Sequence, residues 1–260
     1  EDPLLELEGR ILALHDPSNV AAIIVEPVAG SAGWYLPPKG YLKRLREICD
    51  KHGILLIFDE VMSGAGRTGS FLASDHWPNA RPDLVVLAKG IAAGYTPMGC
   101  LLAPDHMVRA VADGGGFMNG FTYFANPLSC AIGLAVLQEM VDQDLVANAA
   151  HQGAVLAARL RAMIPHCRLV GDVRGLGLLL AVELVADQDS KRRIPLEMNA
   201  PAMVQRIAME EGLALYARRT SRGALSRRRR LSRSQSAGVR EASRTRISRN
   251  GRHHSGCCGS

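Results

Sequence analysis

The chain has 260 residues, 47% of them hydrophobic, which is enough to bury the core of one or two domains. It contains no run of the ~18 to 20 apolar residues that a membrane span needs, and Glu1-Asp2-Pro3 lacks the charged-then-apolar layout of a signal peptide, so a soluble cytoplasmic protein is expected. The net charge of +6 conceals two halves: residues 218–260 carry 13 Arg against Glu241 alone, which leaves the remainder at −6 and gives no reason to expect a nucleic-acid partner.

The chain opens without Met, in acidic and apolar residues, as an interior piece of a longer protein would. Ala21 to Val25, Ile54 to Phe58, Leu84 to Leu87 and Gly99 to Leu102 are short apolar runs that predict strands buried on both faces, the pattern of a parallel sheet. Between the first two, Leu42, Leu45 and Ile48 recur at helical spacing, after Pro37-Pro38 and Gly40 and before Gly53. That spacing predicts an amphipathic crossover helix and hence a βαβ unit. Asn126 as N-cap, with Pro127 at the first helical position, predicts a long helix through Ile132, Leu134, Val136 and Leu137 that leaves the first domain near Met140. Farther on, strand-like Leu178 to Leu184, a helix around Ala202 to Glu211 and a strand-like run Leu213 to Tyr216 predict a smaller α+β unit.

From Arg218 the periodicity stops, and the Arg/Ser-rich residues 218–260 read as a disordered or out-of-frame tail. Without aromatics to stack bases it makes a poor nucleic-acid arm. Cys257 and Cys258, near His253 and His254, give poor tetrahedral geometry, so no metal site is expected. Cys49, Cys100, Cys130 and Cys167 read as buried reduced thiols.

Three features carry chemistry. Asp59 and Glu60 end the apolar run Ile54 to Phe58, and ligands of open α/β sheets bind beyond the carboxyl ends of strands. A carboxylate there needs a cationic or hydrogen-bonding partner, although a capping acid would look the same. Lys89 follows the run Leu84 to Ala88 and is one of five lysines in a chain with 26 arginines. A desolvated amine at such an edge suits nucleophilic and base chemistry. Gly64-Ala65-Gly66-Arg67-Thr68-Gly69 has dinucleotide-loop spacing, but Ser70 to Pro82 reads as loop where that motif requires a long helix.

Taken together, several stretches closely resemble class III aminotransferases: Val25-Glu26-Pro27-Val28-Ala29-Gly30-Ser31-Ala32-Gly33; Phe58-Asp59-Glu60-Val61 with Gly66-Arg67-Thr68-Gly69; and Ala88-Lys89-Gly90 with Gly94-Tyr95-Thr96-Pro97-Met98-Gly99. The resemblance covers residues 1–217 and implies the α/β fold of fold-type I pyridoxal-phosphate enzymes. Such a fold has a mostly parallel sheet with helices on both faces and a smaller α+β C-terminal domain, here partial. Residues 1–140 would then belong to the large cofactor-binding domain and residues 141–217 to the small one.

The same resemblance implies pyridoxal 5′-phosphate as cofactor, Lys89 as the Schiff-base lysine and Asp59 as partner of the pyridine nitrogen. It places Val61 on one ring face and makes Gly120-Phe121-Thr122-Tyr123 the phosphate-contacting stretch. Phe121 and Thr122 would bind cofactor, with Thr122 reaching that of the other subunit of a homodimer. Gly30-Ser31-Ala32-Gly33 resembles the omega-amino-acid:pyruvate branch, whereas ornithine-type relatives carry Glu where Ser31 stands. The expected reaction is amino transfer from an omega-amino acid or amine to a keto acid such as pyruvate, in ping-pong half-reactions. A 4-aminobutyrate-type substrate, an isomerising or decarboxylating relative, and a catalytically incompetent fragment or scaffold stay open as alternatives. Arg174, in Val173-Arg174-Gly175-Leu176-Gly177, reads as structural rather than as a substrate-carboxylate ligand. The family's phosphate loop, ring-stacking aromatic and carboxylate-binding Arg are not found, so weak cofactor binding and negligible turnover are expected of the chain by itself.

Overall fold

A computed structural model describes residues 3–217; the expectations placed on residues 218–260, including Cys257, Cys258, His253 and His254, lie outside the described residues. The predicted strands form as β1 (Ala22–Val25), β2 (Leu55–Asp59), β3 (Leu84–Ala88) and β4 (Gly99–Leu102), hydrogen-bonded in that order. β1, β2 and β3 run parallel, with Ile24 beside Ile57 and Phe58 beside Val85. β4 pairs antiparallel with β3, so the all-parallel expectation gives way to a mixed, mostly parallel sheet. The α/β class stands.

Burial on both faces is also corrected at the margins. β2 and β3 alternate buried and half-buried residues, but Ile24 of β1 is 61% exposed and Leu101 of β4 is 59% exposed. Both strands are sheet edges among the described residues, which leaves part of their apolar surface uncovered.

The crossover helix α1 (Tyr41–His52) starts after Gly40 and ends at Gly53, both in the left-handed region. It buries Leu42, Leu45, Ile48 and Cys49 against Leu56 and Phe58 of β2 and Leu4 and Leu12 of the N-terminal helical segment. Arg46 of this helix reaches Asp83 Oδ2 at 2.7 Å, and the same oxygen accepts from Leu56 N at 2.7 Å. Burial disfavours the Arg46 cation, yet Asp83 and Asp50 outweigh it and raise its pKa. The starts of β2 and β3 are thereby fastened to one side chain.

Helix α2 (Asp105–Asp113) was not predicted; α3 (Pro127–Asp142) was, with Asn126 Oδ1 accepting from Ser129 N at 3.1 Å as its cap. A second unpredicted helix, α4 (Leu145–Ala162), packs on an antiparallel ribbon of β5 (Val170–Leu176) and β6 (Leu179–Leu184). Helix α5 (Ala200–Glu210) lies where it was expected, whereas Leu213 to Tyr216 forms no strand. Of the four described cysteines, all free, Cys49 is buried but Cys130 is exposed, contrary to expectation. No group among the described residues suits a metal ion, and no described helix is long and apolar enough to cross a membrane.

Candidate active site

Asp59 and Lys89 arrive at one sheet edge because β2 and β3 are parallel neighbours in a fixed register. Asp59 stands opposite Val86, three residues before Lys89, and Glu60 N donates to Val86 O at 2.9 Å. Both side chains therefore follow the carboxyl ends of adjacent strands, where open α/β sheets hold ligands.

The two consecutive acids do different work. Glu60 is 1% exposed, and its carboxylate accepts from Ala73 N at 2.5 Å and Ser74 N at 2.9 Å. It satisfies the first amides of a short 3₁₀ turn, Ala73–His76, and pins that loop to the sheet. Half-buried Asp59 accepts only from Val61 N, at 3.0 Å through Oδ1; its Oδ2 has no hydrogen-bond partner among the described residues.

Lys89 begins a 3₁₀ turn (Lys89–Ala92) at φ 47°, a left-handed conformation that disfavours any residue but glycine. Strain of this kind collects at functional positions. Its Nζ makes no hydrogen bond or ion pair among the described residues. The amine is exposed, so the desolvation expected of Lys89 is not supplied by the described residues, which leave the end of β3 uncovered.

The glycine loop 64–69 supports this turn and is no dinucleotide loop, since turns rather than a long helix follow it. At Gly90 a Cβ would stand 2.8 Å from the Ala65 Cβ, and at Gly64 it would stand 2.5 Å from Leu87 Cδ2. Only glycine lets the two loops approach so closely. On the far side, Thr96 Oγ1 lies 2.8 Å from Ser129 Oγ, tying the segment before β4 to the start of α3.

Val61 is half-buried beside Asp59. Phe121 and Thr122 are exposed, Phe121 at 77%, and no hydrogen bond joins Thr122 to Asp59, Val61 or Lys89 among the described residues. The structure thus brings together Asp59, Val61 and Lys89 and leaves Phe121 and Thr122 on open surface.

Sequence reading did not single out Glu26, although its signal was the one that marked Asp59: an acid directly after an apolar run. Glu26 Oε2 accepts from Gly30 N at 2.8 Å and anchors the turn Gly30–Gly33. Arg174 anchors the other end of that turn and binds Asp172 and Glu183, which agrees with its structural reading. Burial opposes its charge, but the two carboxylates prevail and raise its pKa.

A carboxylate with one oxygen free and an amine without a partner among the described residues, at one strand edge, fit a cofactor with a basic ring nitrogen at one end and an aldehyde at the other. The sequence model of the family described as aminotransferase class-III matches residues 6–220. An omega-aminotransferase of Caulobacter vibrioides is 48% identical over 179 residues, covering 67% of this chain and 40% of that protein. The omega-amino acid–pyruvate aminotransferase of Pseudomonas putida is 41% identical over 181 residues, again 67% of this chain and 40% of that protein. Among solved structures, an amine transaminase from an uncultivated Pseudomonas species in its PLP-bound form superposes with a TM-score of 0.76 at 40% identity, covering 82% of this chain and 49% of that one. The chain therefore spans less than half the length of these relatives.

Proposed function

Since this chain belongs to the class-III aminotransferase family, we propose that it carries the covalent-anchoring part of a pyridoxal-phosphate transaminase site, acting on an omega-amino acid or amine and a keto acid such as pyruvate. One observation carries the reading: Asp59 and Lys89, neither with a partner at its reactive atom among the described residues, follow the ends of neighbouring parallel strands. The choice of substrates draws on the omega-amino acid–pyruvate and PLP-bound amine transaminases that this chain resembles.

Pyridoxal phosphate, when bound, supplies an aldehyde that condenses with amines and a ring that withdraws electrons. Lys89 would provide the amine that holds the cofactor covalently and, when free, would take and return a proton at the substrate carbon. Asp59, ionised, would accept a charge-assisted hydrogen bond from the protonated ring nitrogen and so keep it protonated. Val61 would pack on one ring face, and Phe121 and Thr122 would contact the phosphate. The same reading gives residues 1–140 to the large domain and residues 141–217 to the small one, and places the protein in the cytoplasm.

Borohydride reduction of the chain in saturating pyridoxal phosphate tests the proposal, because it captures the cofactor irreversibly however weakly it binds. One adduct on Lys89 is expected, diminished by prior addition of an omega-amino acid that competes for the aldehyde. Reduction that labels other lysines and spares Lys89 would sink the reading.

A homodimer belongs to the proposal. Phe117, Phe121, Tyr123 and Phe124 are each more than 70% exposed, an apolar stretch of the kind that marks an association surface. Sedimentation is expected to give a mass twice that of the 28.0 kDa chain. A monomer that persists at micromolar concentration, with Thr122 accessible to protease, would refute it.

A further inference from the structure

The turn Gly30–Gly33 is what β1 contributes to the candidate site, and its own sequence does not make it rigid. Gly33 sits at φ 119° and Trp34, just after it, at φ 58°, a left-handed conformation for a residue with a large side chain. Contacts from outside the turn hold it. Glu26 caps Gly30 N, while Ala29 and Tyr35 exchange two backbone hydrogen bonds of 3.0 and 3.3 Å. Arg174, distant in sequence on β5, donates from Nε to Gly33 O at 2.7 Å.

The Arg174 side chain is 10% exposed. Its Nη1 lies 3.0 Å from Asp172 Oδ2 and 2.5 Å from Glu183 Oε2, both on the β5–β6 ribbon. Those two ion pairs satisfy the buried charge within the ribbon itself. Two further contacts reach outward: the bond to Gly33 O and the stacking of the guanidinium 4.0 Å above the Tyr35 ring. Both grip the closing end of the same turn.

At its opening end the turn meets the acid edge of the sheet. A Cβ on Gly30 would come within 3.0 Å of Met62 Sδ, and Met62 directly follows Val61. Between these ends Ser31 and Ala32 stand exposed, beyond the carboxyl end of β1.

We propose that Arg174 is a positioning residue, which from the β5–β6 ribbon fixes the Ser31–Ala32 tip beside the Val61–Met62 segment and so shapes the amino-donor side of the site. The word donor rests on the transaminase reading; the placement of the turn does not.

Hydrogen exchange on the 260-residue chain separates the two. In R174K a cation stays between Asp172 and Glu183, but an ammonium has no flat face for Tyr35 and no fork that spans Gly33 and both acids. The amides of Gly30, Trp34 and Tyr35 are expected to exchange about tenfold faster in R174K and in R174Q, while those of Leu45 and Ile48 in α1 keep their native rates. Unchanged exchange in the turn overturns the proposal, as does an equal rise in α1, which would mark global destabilisation only.

With pyridoxal phosphate linked to Lys89, the concentration of an omega-amino acid that halves the borohydride-trapped adduct is expected to rise about fivefold in R174K, the donor-free yield staying constant. No shift overturns the donor-side role. Should the unsubstituted chain trap no cofactor on Lys89, the transaminase reading fails and the donor-side role falls with it, and turn exchange alone then decides the positioning of Arg174.

Discussion

Replacing Lys89 with arginine is expected to abolish borohydride capture of pyridoxal phosphate and to lower any amino transfer by roughly 10³-fold or more, because one side chain supplies both the nucleophile and the proton carrier. Arginine keeps the positive charge and much of the length, but it does not lose a proton under working conditions and so offers no free amine. The fold should be indifferent. Lys89 is exposed and its Nζ has no hydrogen-bond or ion-pair partner among the described residues, and changes at such surface positions stay within about 0.5 kcal/mol. Lys89→Gly sharpens the contrast: at φ 47° glycine is the relaxed residue, so this variant should gain about 1 kcal/mol of stability while losing capture altogether. Urea midpoints and mass spectrometry of reduced peptides measure the two effects. Full capture by K89R, or a cofactor adduct that survives in K89G, would remove Lys89 from the chemistry. A K89G midpoint below that of the parent would instead show that the left-handed backbone carries no strain.

What the sequence displayed, and what it concealed, follows from where the signal in each segment comes from. Helix α1 was legible because Leu42, Leu45 and Ile48 alternate with charged residues and the helix is bracketed by Gly40 and Gly53, so that pattern and caps agree. Helix α3 announced itself through Asn126 and Pro127. Helix α4 did not, since its buried face is Ala149, Gly153 and Ala157 and the contact is made by small side chains, not by a large apolar stripe. β4 looked like β2 and β3 in composition, but direction is a property of the connection, and a run of ten residues from Lys89 to Met98 is short for a parallel crossover.

The candidate site divides in the same way. Asp59 and Lys89 were legible as polar groups ending apolar runs, and their residence at one edge follows from β2 and β3 being adjacent. That Glu60 would bind the amides of Ala73 and Ser74 was not legible, because those partners lie on a loop more than ten residues away. Arg174 and Gly33, separated by 141 residues, leave no local pattern at all.

Gly153→Val is expected to cost about 4 kcal/mol or more, a large share of a total stability in the usual range of about 5 to 15 kcal/mol. Gly153 sits on the buried face of α4, where any Cβ would overlap the carbonyl carbon and oxygen of Gly177 in the turn between β5 and β6. That turn has no room to retreat. A Cβ on Gly177, whose φ is 54°, would collide with the Thr68 carbonyl, and one on Gly69 would stand 2.9 Å from Ala150 Cα. Helix, ribbon and the glycine loop 64–69 therefore meet backbone to backbone, and Leu178 N donates to Arg67 O at 3.1 Å across the same junction. Backbones cannot rotate away as side chains do, so the penalty exceeds that of ordinary overpacking.

The damage should reach the candidate site, since the loop displaced by Gly153→Val is the one whose Ala65 faces Gly90, beside Lys89. Gly9→Ala serves as the control: nothing lies within 4 Å of a Cβ there, and the helical segment should be neutral or steadier by about 0.5 to 1 kcal/mol. Urea denaturation of the two variants decides the matter. A G153V midpoint equal to the parent's would mean that the three backbones separate at little cost, and that the ribbon carrying Arg174 is not held against the loop that supports Lys89.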